Sequence, residues 1–106
     1  MNGQFFGRPD AGQDMVFDYP ALIAHAARTR QLGPGTILGA GTVANEDRSV
    51  GCSCIVEKRA LEMIEYGAAK TPFLRFGDRV RIEMRDAQDN SIFGAIEQEV
   101  QCYPNR

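Results

Sequence analysis

Cysteine, histidine and long apolar runs are all scarce in this chain, and each scarcity excludes something. Three cysteines, Cys52, Cys54 and Cys102, are an odd number and too few for a disulfide framework. Cys52-Ser53-Cys54 with one histidine in 106 residues cannot complete a four-ligand zinc site without help from another chain. The expectation is that each cysteine is a small, half-buried hydrophobe. No apolar run approaches the roughly 20 residues of a membrane span. The first residues carry no charged start followed by an apolar stretch, so no signal peptide is expected and the expected location is cytoplasmic. Twelve basic against fourteen acidic residues leave a net charge of −2, which argues against a basic surface for nucleic acid.

What remains is an ordinary globular composition, 43% hydrophobic and 25% charged. The length suits one domain, expected over residues 1–106, that buries roughly two thirds of its unfolded surface around a thin core. Asn2-Gly3 favours a two-residue type I′ hairpin turn, yet only one residue precedes it. Either this turn is not a hairpin or its first strand is missing. Phe5-Phe6 would then be an unpaired leading strand. Residues 14–17 read as a short extended piece. Asp18 caps a helix over residues 19–30, Pro20 fits its first turn, and Leu22, Ile23, Ala26 and Ala27 give its apolar face. Gly33-Pro34-Gly35 ends it, and Thr36-Ile37-Leu38 reads as a short buried strand.

Residues 45–49 form a polar loop, and residues 52–56 have strand character. A second helix is expected over residues 57–66, with Ala60, Leu61 and Ile64 as its stripe and Gly67 at the stop position. Residues 71–78 are extended and end in a turn. Val80, Ile82 and Met84 alternate with charged residues as a half-buried strand, residues 86–90 turn, and Ile92, Ile96 and Val100 line the returning strand. The sum is a mixed α+β domain, mainly antiparallel, with two short helices.

Four groups of residues bear on chemistry. Gly39-Ala40-Gly41-Thr42-Val43-Ala44 fits a loose dinucleotide pattern, but no periodic helix follows it and Glu46 and Asp47 would repel phosphate. A threonine flanked by bare backbone can still approach a ligand oxygen, the alternative being a plain strand-end turn. Glu97 and Glu99 have the spacing of a divalent-metal site. If the hairpin closes around Gln88, however, Arg79 lies opposite Glu97, and cross-strand ion pairs account for these charges without a metal. His25 has no acidic or nucleophilic neighbour in its motif, and neither Cys52 nor Cys54 has a nearby histidine. No catalytic set is complete, so no catalytic and no metal-ligating residue is assigned.

Several segments, in order, resemble the C-terminal part of the fumarylacetoacetate hydrolase family. They are Asn2-Gly3; Met15-Val16-Phe17-Asp18-Tyr19-Pro20-Ala21-Leu22-Ile23; Leu32-Gly33-Pro34-Gly35-Thr36-Ile37-Leu38-Gly39-Ala40-Gly41-Thr42; Gly51-Cys52; and Thr71-Pro72-Phe73-Leu74-Arg75-Phe76-Gly77-Asp78-Arg79-Val80. The resemblance runs from Asn2 to Val100, and its weight lies in the ordered set. The absence of a proline after Gly41-Thr42, together with Gly51-Cys52, is closer to the fumarylacetoacetase branch than to the acylpyruvase or hydratase branches.

The resemblance implies a partial C-terminal domain with a β-roll. It also implies hydrolysis of a carbon–carbon bond between two carbonyls, in which Mg²⁺ or Ca²⁺ held by carboxylates acts on a small dicarbonyl acid. Thr42, with Gly41 as its backbone neighbour, is the implied contact to substrate oxygen. The family's metal ligands, catalytic histidine and basic substrate contacts lie N-terminal to the segment matching Asn2. The expectation is therefore a C-terminal piece without a metal or cofactor of its own, inactive alone and homodimeric. A stand-alone domain that binds a small molecule or protein on the same scaffold is the alternative.

Overall fold

The computed structural model describes residues 1–104. In chain order it contains α1 (Tyr19–Ala27), a single 3₁₀ turn at Arg48–Val50, α2 (Ile55–Tyr66), and strands β1 (Arg79–Arg85) and β2 (Ser91–Glu99). These form a small α+β structure with one two-stranded antiparallel sheet among the described residues. The chain divides into two units, Gly7–Ala69 with the helices and Met1–Phe6 with the chain from Lys70 onward.

In the helical unit, the Asp18 carboxylate accepts from the Ala21 amide at 2.8 Å and satisfies an orphan donor of α1. The helix stops at Ala27, three residues short of the expected end. Pro34 and Gly35 then make a type II turn: Thr36 N–H donates to the Gly33 carbonyl, and Gly35 takes the positive φ of +83° that the third position demands. Residues 36–38 form no strand. No neighbouring segment among the described residues offers them a ladder, and Ile37 is 93% exposed. Residues 14, 16 and 17 are bends instead of parts of an extended piece, starting from Asp14 at φ +59°.

The strand character of residues 52–56 is also overturned. Cys54 is the extended cap of α2, and the β-branched Ile55 and Val56 form its first turn. Gly67 ends α2 as expected, in the left-handed conformation, with its amide donating to the Met63 carbonyl at 3.0 Å. The stripe on α2 is displaced from Ala60 and Ile64, which are exposed. Leu61 is half-buried as expected, and the buried residue beside it is Glu62. Cys52 is the one buried hydrophobic residue among those described. Against it lies Gly7, bridged to Gly51; a Cβ on Gly7 would overlap the Cys52 backbone. The cysteines therefore differ from their common expectation: Cys52 is buried, Cys54 half-buried and Cys102 exposed, all as free thiols.

In the hairpin unit, Asn2-Gly3 does form a type I′ turn, with φ +49° and +72° and a Gln4 N–H to Met1 carbonyl bond of 2.9 Å. Residues 5–6, which follow it, are in no ladder. The turn is instead anchored on the start of β1. At the hairpin tip, Asp86 accepts from the amides of Gln88 and Asn90 and Asp89 takes φ +65°, so Arg85 faces Ser91 as a closure around Gln88 requires.

Beyond the tip the register slips by two. Ile82 faces Ile96, Arg81 faces Glu97, and Arg79 faces Glu99 where Glu97 was expected. The extra residues lie in β2 around Gly94, whose φ of +80° provides the bulge. The alternating face is apolar as expected but less covered, with Ile82 60% and Ile96 53% exposed.

Candidate functional site

Two segments of the helical unit meet around an open groove of about 480 Å³. One wall is residues 14–17 with Leu22 from α1; the other is residues 39–44, including Gly41 and Thr42. The expected ligand-contact residues thus line a concavity within one unit. Glycines at 39 and 41 leave the backbone open there, and a Cβ on either would meet nothing within 4 Å.

Side chains from both sides tie the walls together. Asn45 Oδ1 accepts from the Asp10 amide at 2.7 Å, and its amide group donates to the carbonyls of Asp10 and Gln13 at 3.0 and 3.3 Å. Asp14 Oδ2 accepts from the Glu46 amide at 2.9 Å. From the start of α2, Ser53 Oγ donates to the Val43 carbonyl at 2.7 Å. The Thr42 segment is therefore held from both flanks by residues to which the motif reading gave no role. Asn45 and Asp14 carried no signal in sequence beyond their turn-forming chemistry.

The chain's remaining candidates fall elsewhere. His25 is exposed in the last turn of α1. Burial pushes the Cys52 thiol up, and the Glu57 carboxylate nearby acts in the same direction, so Cys52 holds its proton at neutral pH. On the hairpin, Arg81 reaches Glu97 at 2.8 Å and Arg79 reaches Glu99 at 3.3 Å. Glu83, its side chain only 13% exposed, accepts from Arg81 at 2.8 Å and Arg85 at 3.1 Å, and these hydrogen bonds hold its carboxyl down at about 2. The metal-like spacing of Glu97 and Glu99 is thus absorbed by cross-strand arginines. No three His, Cys, Asp or Glu side chains among the described residues converge as a metal site would require. The described residues therefore offer no carboxylate cluster that would hold the cation the family resemblance implies.

The model of the fumarylacetoacetate (FAA) hydrolase C-terminal domain matches residues 1–101. The chain belongs to the fumarylacetoacetate hydrolase family. No curated protein matches it. The family match covers both units, from the Asn2-Gly3 turn to the end of β2, and includes the groove with Gly41 and Thr42. No helix among the described residues is long and apolar enough to cross a membrane.

Proposed function

We propose that this chain is the C-terminal segment of a hydrolase of the fumarylacetoacetase-like branch, which cleaves a carbon–carbon bond in a small dicarbonyl acid. The observation that carries this reading is the coincidence of the family match with the groove: Thr42 and its backbone neighbour Gly41 line one wall. The Thr42 hydroxyl can donate to a ligand oxygen, and the glycine on its flank lets that oxygen approach the backbone. The absence of proline after Gly41-Thr42 and the Gly51-Cys52 pair support the branch.

In this reading the chain supplies substrate contact and no metal ligand. The Mg²⁺ or Ca²⁺ of the family, its carboxylates and its catalytic histidine belong to an N-terminal part, which completes the single domain and its β-roll. The exposed apolar face of β1 and β2 supports such a completion, since an isolated hairpin is marginal in water. A cytoplasmic homodimer accords with the same reading.

Following the enol absorbance of fumarylacetoacetate or a simple acylpyruvate with Mg²⁺ or Mn²⁺ tests it. The expected result is no turnover by the chain, with acylpyruvate binding that Thr42→Ala weakens. Metal-dependent turnover reduced by Thr42→Ala would overturn the catalytic incompleteness. Unchanged binding by Thr42→Ala would overturn the assignment of Thr42. The alternative, a stand-alone binding domain, predicts the same absence of turnover but no gain of activity when an N-terminal part of a family member is added.

A further inference from the structure

Asn2 is the one asparagine of this chain that a glycine follows. That pairing has a chemistry of its own. Glycine has no side chain to hinder its amide nitrogen, so the nitrogen of residue 3 can attack the Asn2 side-chain carbonyl when the chain lets them meet. The Gly3 nitrogen then bonds to Asn2 Cγ, the Cγ–Nδ2 bond breaks, and ammonia leaves with the amide proton. Water opens the resulting cyclic imide at either carbonyl, giving aspartate or isoaspartate at residue 2. Nothing is oxidised or reduced, and water is the sole co-reactant.

The opening turn both offers and restrains this reaction. Asn2 and Gly3 are exposed, and the Gly3 amide has no hydrogen-bond partner among the described residues. A Cβ on Gly3 would meet nothing within 4 Å, so its surroundings are open. The Asn2 side chain, in contrast, is engaged at both ends. Nδ2, the leaving group, donates to Asp78 Oδ1 at 2.8 Å, and Oδ1 accepts from the Arg79 amide at 2.7 Å. Asp78 is itself fixed, since its other oxygen accepts from the Arg75 amide at 2.7 Å. That bond, ahead of the one from Asn2, holds its carboxyl below the usual value, so residue 78 is a carboxylate at neutral pH.

We propose that Asn2-Gly3 is a latched deamidation site: the bonds to Asp78 and Arg79 hold the Asn2 side chain off the Gly3 nitrogen, and conversion of its amide releases the opening turn from β1. Ring closure then proceeds only from the opened turn, and its rate follows the fraction of time the latch is open. The product cannot relatch. A carboxylate at residue 2 has no hydrogen to donate, and its oxygen would replace Nδ2 beside Asp78 Oδ1, bringing two like charges into contact. Isoaspartate also inserts a methylene into the backbone of a type I′ turn whose φ values of +49° and +72° set the approach to Arg79. The change is therefore one-way, and Asp78 governs both when it happens and what it does.

The test has a kinetic and an equilibrium arm. In the first, the full chain, the Asp78→Asn variant and a Met-Asn-Gly-Gln-Phe peptide are incubated in mildly alkaline buffer, and mass spectrometry follows the exchange of NH₂ for OH at residue 2. The native chain should convert about tenfold or more slowly than the peptide or the guanidinium-unfolded chain. Asp78→Asn should convert several-fold faster than the native chain, and circular dichroism confirms that this isosteric variant is folded. In the second arm, denaturant unfolding compares the native chain with Asn2→Asp, Asp78→Asn and the two together. Asn2→Asp should lower the midpoint. Adding Asp78→Asn should restore it, because the residue 78 amide can donate to the carboxylate at residue 2 while its oxygen keeps the Arg75 amide. Conversion of the native chain as fast as the peptide would overturn the latch. Equal rates in the native chain and Asp78→Asn would overturn the role of Asp78. An Asn2→Asp midpoint equal to the native one, or one that Asp78→Asn fails to restore, would overturn the release of the turn by like charge.

Discussion

Asn2 Nδ2 donates to Asp78 Oδ1 at 2.8 Å across 76 residues of sequence, while Asn2 Oδ1 accepts from the Arg79 amide at 2.7 Å. One side chain thus links the opening turn to the start of β1. Its own backbone joins in, with Asn2 N–H donating to the Arg79 carbonyl at 2.8 Å. The opening turn is thus secured to β1 by the backbone and the side chain of one asparagine together.

Removing that side chain should therefore be felt at Asp78. The Arg75 amide and, after it, the Asn2 side chain hold the Asp78 carboxyl below its ordinary value. Asn2→Ala should raise it by removing the second donor and leave the first, and should cost about 1 kcal/mol of stability. A carboxyl with a depressed value stabilises the fold above the ordinary aspartate range and loses that contribution as pH falls. Asn2→Ala should accordingly flatten the acid limb of the stability curve. Carbon-detected titration of Asp78 checks the first effect; an unchanged midpoint would show that Asn2 contributes nothing to it.

Glu83 gives a second pH signature. Its carboxyl titrates at about 2 because Arg81 and Arg85 both donate to it. The unfolded chain takes up this proton near 4.3, so the contribution is complete above that value and lost progressively as pH drops towards 2. Glu83→Gln should remove this part of the acid destabilisation and leave two arginines without their shared acceptor. Thermal unfolding of both proteins between pH 2 and 5 is the check, and parallel curves would refute the assignment.

Glycines at two positions should respond differently to alanine. At Gly7 the added methyl meets the backbone of buried Cys52, so two chain segments must separate. At Gly94 it meets nothing within 4 Å, and the cost is the left-handed backbone alone, about 1–2 kcal/mol. Gly7→Ala should be the more damaging by several kcal/mol. Denaturant unfolding of the two variants decides it, and equal losses would contradict the close approach at Gly7.

Local chemistry was legible where one residue decides the conformation. Asp18 as a cap, Asn2-Gly3 as a type I′ turn and Gly67 as a helix end each rest on a short-range bond or a φ value, whereas Gly33-Pro34-Gly35, expected to stop α1, only turns the chain after a helix that has already ended at Ala27. The misreadings have tertiary causes. Residues 36–38 have the composition of a strand and no ladder to join. Ile55 and Val56 are β-branched, yet they follow an extended Cys54 and enter α2. The ion pairs were read correctly in kind and displaced by two in register, since the bulge at Gly94 is set by backbone conformation and not by alternation. At the groove, Thr42 was visible as a motif, whereas its supports Asn45, Asp14 and Ser53 became visible only through their partners.

Those supports lead to the last prediction, at Asp14. Its φ of +59° is a left-handed conformation that aspartate and asparagine tolerate better than other side chains, and its carboxylate holds the Glu46 amide. Asp14→Ala forfeits the bond and adds strain, for a combined cost of about 2 kcal/mol. Asp14→Gly forfeits the bond but relieves the conformation, and should cost about 1 kcal/mol less than alanine. Asp14→Asn retains an amide oxygen as acceptor and should lie closest to the native protein. Hydrogen exchange at the Glu46 amide separates the two contributions: it should speed up in both Asp14→Ala and Asp14→Gly and remain slow in Asp14→Asn. If exchange at Glu46 is the same in all four proteins, the Asp14 clamp does not hold the Thr42 wall of the groove, and that wall is fixed by Asn45 and Ser53 alone.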